Sequence, residues 1–301
     1  FEIVKKSFDE ANCENVRKNG ETYLKEITNG PNEISVYFFL AQCNYEADKE
    51  KALTYYNFVI SKANNQYYEE ALQYGSYLAF EKGDYNLAIS HYNKLEKIAS
   101  KESNIRSAVI AQMHAHNKLK NYDDVIIYAT KVLGLSNLDE ANKVDALLFL
   151  GIAYKMNGDF SKATVELEKC HKLTKTIAGA EAKFHLSEIL FLQKEYAKCE
   201  KSIMELVKQK PSFDYWIAKG LILLGKNYKE TNDFFNAKHT LNSVINNYNG
   251  KDKTEIKAEA QQVLNEVVEA ETQQNAPKNK EEENIDFNNI NDKDKKLFEG
   301  N

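Results

Sequence analysis

The chain is poor in the residues that break helices and in those that read nucleic acid. Only three of its 301 residues are proline, Pro31, Pro211 and Pro277. The fixed φ and missing N–H of proline therefore interrupt few places, and long helices are allowed almost everywhere. Of 40 basic residues only two, Arg17 and Arg106, are arginine, the usual source of bidentate phosphate and base contacts. With a net charge of −5 and a pI near 5.8, nucleic acid is not an expected partner. No run approaches the roughly 18 uncharged apolar residues of a membrane span, so direct membrane insertion is not expected either. The chain opens at Phe1 with neither a methionine nor a basic-then-apolar leader. It reads as an excised or processed piece whose targeting signal is out of view.

What is present is a soluble, folded composition, 28% charged and 43% hydrophobic, with helical periodicity. Around the Asn157-Gly158 pair, Leu147, Leu150, Gly151 and Tyr154 fall at i, i+3, i+4 and i+7, and Phe160, Ala163, Leu167 and Cys170 step by three and four. The pair is therefore a helix-to-helix turn and not a strand hairpin, with Gly158 in a left-handed cap and Asp159 placed to N-cap the next helix. The unit recurs. Turn aromatics stand at Tyr85, Tyr122, Phe160, Tyr196 and Phe234, spaced 37, 38, 36 and 38 residues apart, and weaker copies place the equivalent site at Lys49 and Cys13. Three residues after each turn site come Val16, Ala52, Ala88, Val125, Ala163, Cys199 and Ala237, all small or β-branched. Ten residues after it come Tyr23, Val59, Leu95, Val132, Cys170, Leu206 and Val244. Nine before it come Ser76, Gly151, Ser187 and Gly225, with Met113 the exception and Ala41 in register if the second turn is one residue shorter. Small residues at matched heights let two antiparallel helices approach closely, and one pair needs its neighbours to bury its apolar face.

The run Leu150-Gly151 … Tyr154 … Gly158-Asp159-Phe160 … Ala163 resembles the tetratricopeptide repeat, and Leu224-Gly225 … Tyr228 … Asp233-Phe234 … Ala237 resembles it nearly as well. The third and sixth copies are intermediate, and the first, second and fourth degenerate. The period exceeds the family's roughly 34 residues. With Tyr215-Trp216-Ile217-Ala218 opening the last copy, the chain looks like the divergent multi-repeat cell-envelope proteins of Bacteroidota. The resemblance implies an all-α, right-handed α-solenoid of about seven helical hairpins over residues 1–250. Residues 251–271, with Ile256, Ala260, Leu264 and Val267/Val268 in helical rhythm, are expected to form a capping helix. Residues 272–301 are expected to be a disordered polar tail. Ile285, Phe287, Ile290, Leu297 and Phe298 give that tail the makings of a short docking motif, for a partner or for another copy of the chain.

Catalytic chemistry is missing. There is no His-Glu-x-x-His, no Gly-rich phosphate loop and no nucleophile elbow. His114 and His116 are two residues apart on one helix, so they face different ways, and His91, His171, His185 and His239 are scattered. No catalytic residue, metal site or cofactor is expected. Asp123-Asp124 suits a helix start. Cys13, Cys43, Cys170 and Cys199 show no Cys-x-x-Cys spacing and are expected as buried free thiols, a Cys170–Cys199 bridge being the open alternative. Free thiols favour the cytoplasm and the resemblance favours the periplasm or envelope, which is preferred.

In tetratricopeptide arrays the first helix of each pair lines the concave groove. Carrying the register forward places Phe38, Tyr45, Tyr77, Phe80, Ile110, His114, Leu148, Ile152, Phe184, Glu188 and Phe191 there, with Lys226 and Lys229 adding a basic patch in the last copy. The Lys/Asn/Arg clamp of members that bind chaperone C-termini is absent, since its sites carry Leu148, Ile152, Phe184 and Glu188. The expected function is a non-enzymatic scaffold binding a protein or peptide partner through this groove. The alternatives are a regulatory or enzyme subunit with a small-molecule site, and a self-assembling structural protein.

Overall fold

A computed structural model describes residues 1–276 as fifteen α-helices, with no β-strand among the described residues. They pair as α1 (Glu2–Asp9) with α2 (Cys13–Glu26), α3 (Glu33–Asn44) with α4 (Lys49–Ser61), and α5 (Tyr68–Glu81) with α6 (Tyr85–Ile98). Next come α7 (Glu102–Leu119) with α8 (Tyr122–Leu133), α9 (Glu140–Met156) with α10 (Phe160–Leu173), and α11 (Ile177–Leu192) with α12 (Tyr196–Lys208). The last pair is α13 (Asp214–Glu230) with α14 (Phe234–Asn247), and α15 (Lys253–Asn275) follows alone. This is an α-solenoid of seven helical hairpins and one further helix.

Every second helix begins on the turn site read from the sequence, from Cys13 to Phe234. The preceding residue caps it: Asn12, Asp48, Asp84, Asp159 and Asp233 each accept a hydrogen bond from the backbone N–H three residues on, at 3.0–3.1 Å. Such caps satisfy a backbone donor that the helix leaves orphaned. Two residues before the turn site the backbone is left-handed in six of the seven hairpins, at Ala11, Gly83, Lys120, Gly158, Lys194 and Asn232. The second hairpin, whose turn is the shorter one, is the exception. Gly158, at φ +80°, suits this conformation because it lacks the Cβ that makes it costly for other residues.

Behind the turn lies the closest contact of each pair. Val16, Ala52, Ala88, Val125, Ala163, Cys199 and Ala237 are all fully buried, as are Ser76, Met113 and Ser187 on the facing first helices. Gly151 shows how little room remains. A β-carbon there would lie 2.6 Å from Leu167 Cγ and 3.1 Å from the Leu167 backbone nitrogen, and one on Gly225 would lie 2.6 Å from Leu241 Cγ.

The chain divides into two compact units, Phe1–Trp216 and residues 217 onward. In the first, a core from Val4 to Ala108 is followed by two clusters that share Leu133, Phe149 and Tyr154. Both arginines here serve the backbone: Arg17 donates to the Cys43 carbonyl (2.6 Å) and Arg106 to the Ser136 carbonyl (2.6 Å). In the second unit, α15 buries Ile256, Ala260, Val263 and Val267. Where α13 has Gly225 and Tyr228, the same register in α15 carries Gln262 and Asn265, both exposed. Two polar side chains thus stand in the slots where the hairpins carry a small residue and an aromatic, with Val268 exposed nearby. Helix α15 also runs past the expected boundary at Glu271, Thr272 Oγ1 donating to the Val268 carbonyl (2.8 Å). The suggested motif of Ile285, Phe287, Ile290, Leu297 and Phe298 lies outside the described residues.

The expectation for the cysteines is corrected in part. Cys13, first residue of α2, is bonded to Cys43 near the end of α3, with the Cα atoms 5.0 Å apart. The pairing arises because the second helix of one hairpin packs beside the first helix of the next. Cys170 and Cys199 are free and buried, and burial pushes both thiols up to about 12.

Two stability predictions follow from this packing. Gly151→Ala lowers unfolding free energy by about 1–3 kcal/mol through overpacking against Leu167, read as a shift of the denaturant midpoint. Opening the Cys13–Cys43 bridge, which closes a 30-residue separation, costs about 2–4 kcal/mol. Reductant should lower the midpoint of the wild type and leave that of a Cys13→Ser/Cys43→Ser variant unmoved.

Candidate functional site

The first helices expose their faces in columns set by the helical repeat. Positions eight before the turn site carry Tyr77, His114, Ile152, Glu188 and Lys226, and all five retain solvent exposure. Around the first two of these the structure forms a concavity of about 590 Å³. Tyr77, Phe80, Tyr92, Ile110 and Ala111 give it apolar walls, and Glu81, His114, Lys118 and Asn142 stand among its lining. Tyr77 is 44% exposed. The Phe80 ring is held edge-on by Tyr85 at 5.3 Å. His114 packs edge-on to Phe149 (5.4 Å), and its Nε2 lies 3.8 Å from Asp145 Oδ2. Burial holds the His114 imidazole below its ordinary range against the pull of Asp145, so it is neutral at neutral pH.

From His114 a line of ionisable groups continues along α9 and α11. Burial raises the Asp145 carboxyl above the usual carboxylate range, with His114 opposing. Glu181 is pushed up to about 7, first by burial and then by the Asp145 charge, with Lys155 opposing. One helical turn on, His185 Nε2 lies 3.9 Å from Glu181 Oε1. Its Nδ1 forms a triangle with Glu188 Oε2 (2.6 Å) and Lys155 Nζ (2.9 Å), closed by a 2.6 Å Lys155–Glu188 ion pair. Burial works against ionisation of Glu188 too, but the hydrogen bond from His185 and the Lys155 charge outweigh it and hold this carboxyl at about 2. Trp216 covers the triangle, 5.3 Å from the Phe184 ring and 5.9 Å from the His185 ring.

The expected groove residues thus separate. Tyr77, Phe80, Ile110 and His114 are brought together in one concavity. Phe38, Leu148 and Phe184 are withdrawn from it: each is buried, Phe38 stacked on Tyr67 at 4.2 Å and Phe184 under Trp216, because the neighbouring helix covers that column. Tyr45 lies against Tyr74, Phe191 against Tyr196, and Ile152 on the core of α9–α11. The expected basic patch is neutralised. Glu266 pairs with Lys229 (3.0 Å), and Glu259 stands 3.9 Å from Lys226 and 2.7 Å from Lys219. Sequence reasoning missed Asp145 and Glu181. Both stand fifteen before their turn site, two helical turns above His114's column, so extending the register by seven residues finds them. No cluster of three or more His, Cys, Asp or Glu suited to a metal occurs among the described residues, and no described helix is long and apolar enough to cross a membrane.

No family model matches the sequence, and no curated protein matches it. Among solved structures, the C-terminal part of a TPR repeat-containing protein from Cytophaga hutchinsonii is similar over 84% of this chain and 97% of its own, at 15% identity and a TM-score of 0.53. A tetratricopeptide repeat protein from Parabacteroides merdae aligns over 86% of this chain and 96% of its own, at 15% identity and a TM-score of 0.44. The first of these shows that the fold is a tetratricopeptide-type one.

The two glutamates of α11 should be separable by pH. A carboxyl raised in the folded state contributes stability below its unfolded range, and that contribution is lost as pH climbs through the folded value. Glu181 therefore disfavours folding progressively from about 4.5 to about 7, and Glu181→Gln should stabilise the chain at pH 8 by about 1–3 kcal/mol while flattening that slope. Glu188, lowered to about 2, contributes stability above 4.5 that is lost as pH falls towards 2. Glu188→Gln should therefore destabilise at pH 7. Thermal unfolding of both variants across pH 3–8 checks the opposite signs.

Proposed function

We propose that this tetratricopeptide-type solenoid is a non-enzymatic protein-interaction module, and that it takes a peptide segment of a partner on the open face of its first helices. The observation that carries the reading is the concavity of about 590 Å³ walled by Tyr77, Phe80, Tyr92, Ile110 and Ala111. Stacked helical repeats create extended binding surfaces of this kind, and a recess of a few hundred cubic ångströms holds large apolar side chains. Exposed aromatic surface inside it loses water on binding and gives an anchor. The Cys13–Cys43 disulfide supports an oxidising compartment such as the cell envelope.

Selection of peptides on the purified chain, followed by affinity measurement, tests the reading. Phe80→Ala and Ile110→Ala should each weaken the selected peptides on the order of tenfold, the effect of removing an anchor contact, with the circular dichroism spectrum retained. Affinities unchanged in both variants would move the binding site elsewhere.

A further inference from the structure

Two carboxylates, Asp145 against His114 of the concavity's lining and Glu181 on the following first helix, lack the lysine ion pair that a third one has. Glu188 has Lys155 at 2.6 Å and the His185 Nδ1 at 2.6 Å. Asp145 and Glu181 have no lysine or arginine at ion-pair distance among the described residues: each has an imidazole at the outer limit of an ion pair, His114 at 3.8 Å and His185 at 3.9 Å, and Lys155 reaches Glu181 through its charge alone. Both stand at the same register position of successive first helices, and the Asp145 charge helps to raise the Glu181 carboxyl. They are also within reach of a ligand: their side chains are 40% and 29% exposed. Asp145 lies one helical turn from Asn142, which lines the concavity, and it touches His114, which lines it too.

We infer that the partner segment carries a lysine or arginine beside its apolar anchor, and that Asp145 and Glu181 receive this cation while the anchor fills the recess at Tyr77, Phe80 and Ile110. The inference rests on the peptide-binding reading above and narrows the partner by charge complementarity. Neighbouring helices pack about 8–10 Å apart and an extended chain advances about 3.3 Å per residue, so an anchor against Ile110 of α7 and a cation at Asp145 of α9 are separated by about two to four residues, with Glu181 one helix further on. A cation seated there supplies the positive charge that Lys155 supplies to Glu188, and it does so without displacing any existing ion pair.

The pH dependence follows from all the groups that face the pair. These are His114 from α7 with Lys118 acting on it, Asp139 just before α9, Asp145 and Lys155 from α9, Cys170 from α10, and His185 and Glu188 from α11. Lys155 is already held by Glu188, and the Cys170 thiol is neutral across the working range. As pH rises from 5 to 8, Glu181 loses its proton, so attraction for a cation grows.

A synthetic peptide array tests this directly. Each member carries one Phe or Leu anchor in a Gly/Ser background, with Lys, Arg, citrulline or Glu at each offset from one to five on either side. The wild type should bind the Lys and Arg members about tenfold more tightly than their citrulline counterparts at pH 8, with the preference shrinking at pH 5 and at high salt. Asp145→Asn/Glu181→Gln should abolish the preference yet keep anchor binding. The same charge change at Glu168 and Glu205, on α10 and α12, should leave the preference intact. Phe80→Ala should weaken every member alike. Anchor binding with no preference between Arg and citrulline overturns the inference and leaves the peptide-binding reading standing. A preference that survives Asp145→Asn/Glu181→Gln also overturns it. Binding of no array member overturns both.

Discussion

Within each hairpin the second helix turns a small or β-branched residue with no exposed surface onto the first, and at Gly151 and Gly225 the pair is held almost without clearance. Everything else depends on that contact. It fixes the height at which the first helix meets the second, and so it fixes which side chains of the first helix turn away from the pair. The side-chain cap one residue before five of the turn sites and the left-handed residue before six of them set the angle at which the chain re-enters. Alanine, valine, cysteine and glycine all serve in the packing slots, since what the contact requires is small volume and not a particular chemistry. The turn residues tell the same story from the other side. Lys120, Lys194 and Asn232 accept a left-handed backbone that glycine would adopt more readily, so in those hairpins the packing dictates the turn.

This explains what the sequence disclosed and what it concealed. Hairpin number, turn sites and packing slots were legible because each depends on residues within one repeat, and the repeats check one another. The face of the first helices was legible only in part. Tyr77, Phe80, Ile110 and His114 meet as the register suggests, whereas Phe38, Leu148 and Phe184 vanish under a neighbouring helix whose cover no single repeat encodes. Lys226 and Lys229 read as a basic patch for the same reason: the glutamates that neutralise them stand on α15, more than thirty residues away. The Cys13–Cys43 bond joins two different hairpins, and no local spacing announces it. Asp145 and Glu181 were within reach of the register and lay one step beyond where it was taken.

The electrostatics of α11 show how finely position decides chemistry. Glu181 and Glu188 lie on one helix two turns apart, both largely withdrawn from water, and burial opposes ionisation in each. One has a lysine and an imidazole against it and stays ionised until the pH falls to about 2. The other shares its surroundings with a second carboxylate and holds its proton close to neutrality. Desolvation is common to both, so the partner alone sets the sign. A surface built from such contrasts can recognise charge without any dedicated binding loop.

The two amides on the open side of α15 have a broader meaning. A stack in which each element touches only its neighbours contains no closure condition comparable to a barrel's last strand or a bundle's fourth helix, and nothing in its geometry tells it when to stop. The decision is left to local chemistry. Gln262 and Asn265, standing where a glycine and a tyrosine would invite another helix, act as punctuation. The length of such a stack is thus written in side chains and not in its geometry.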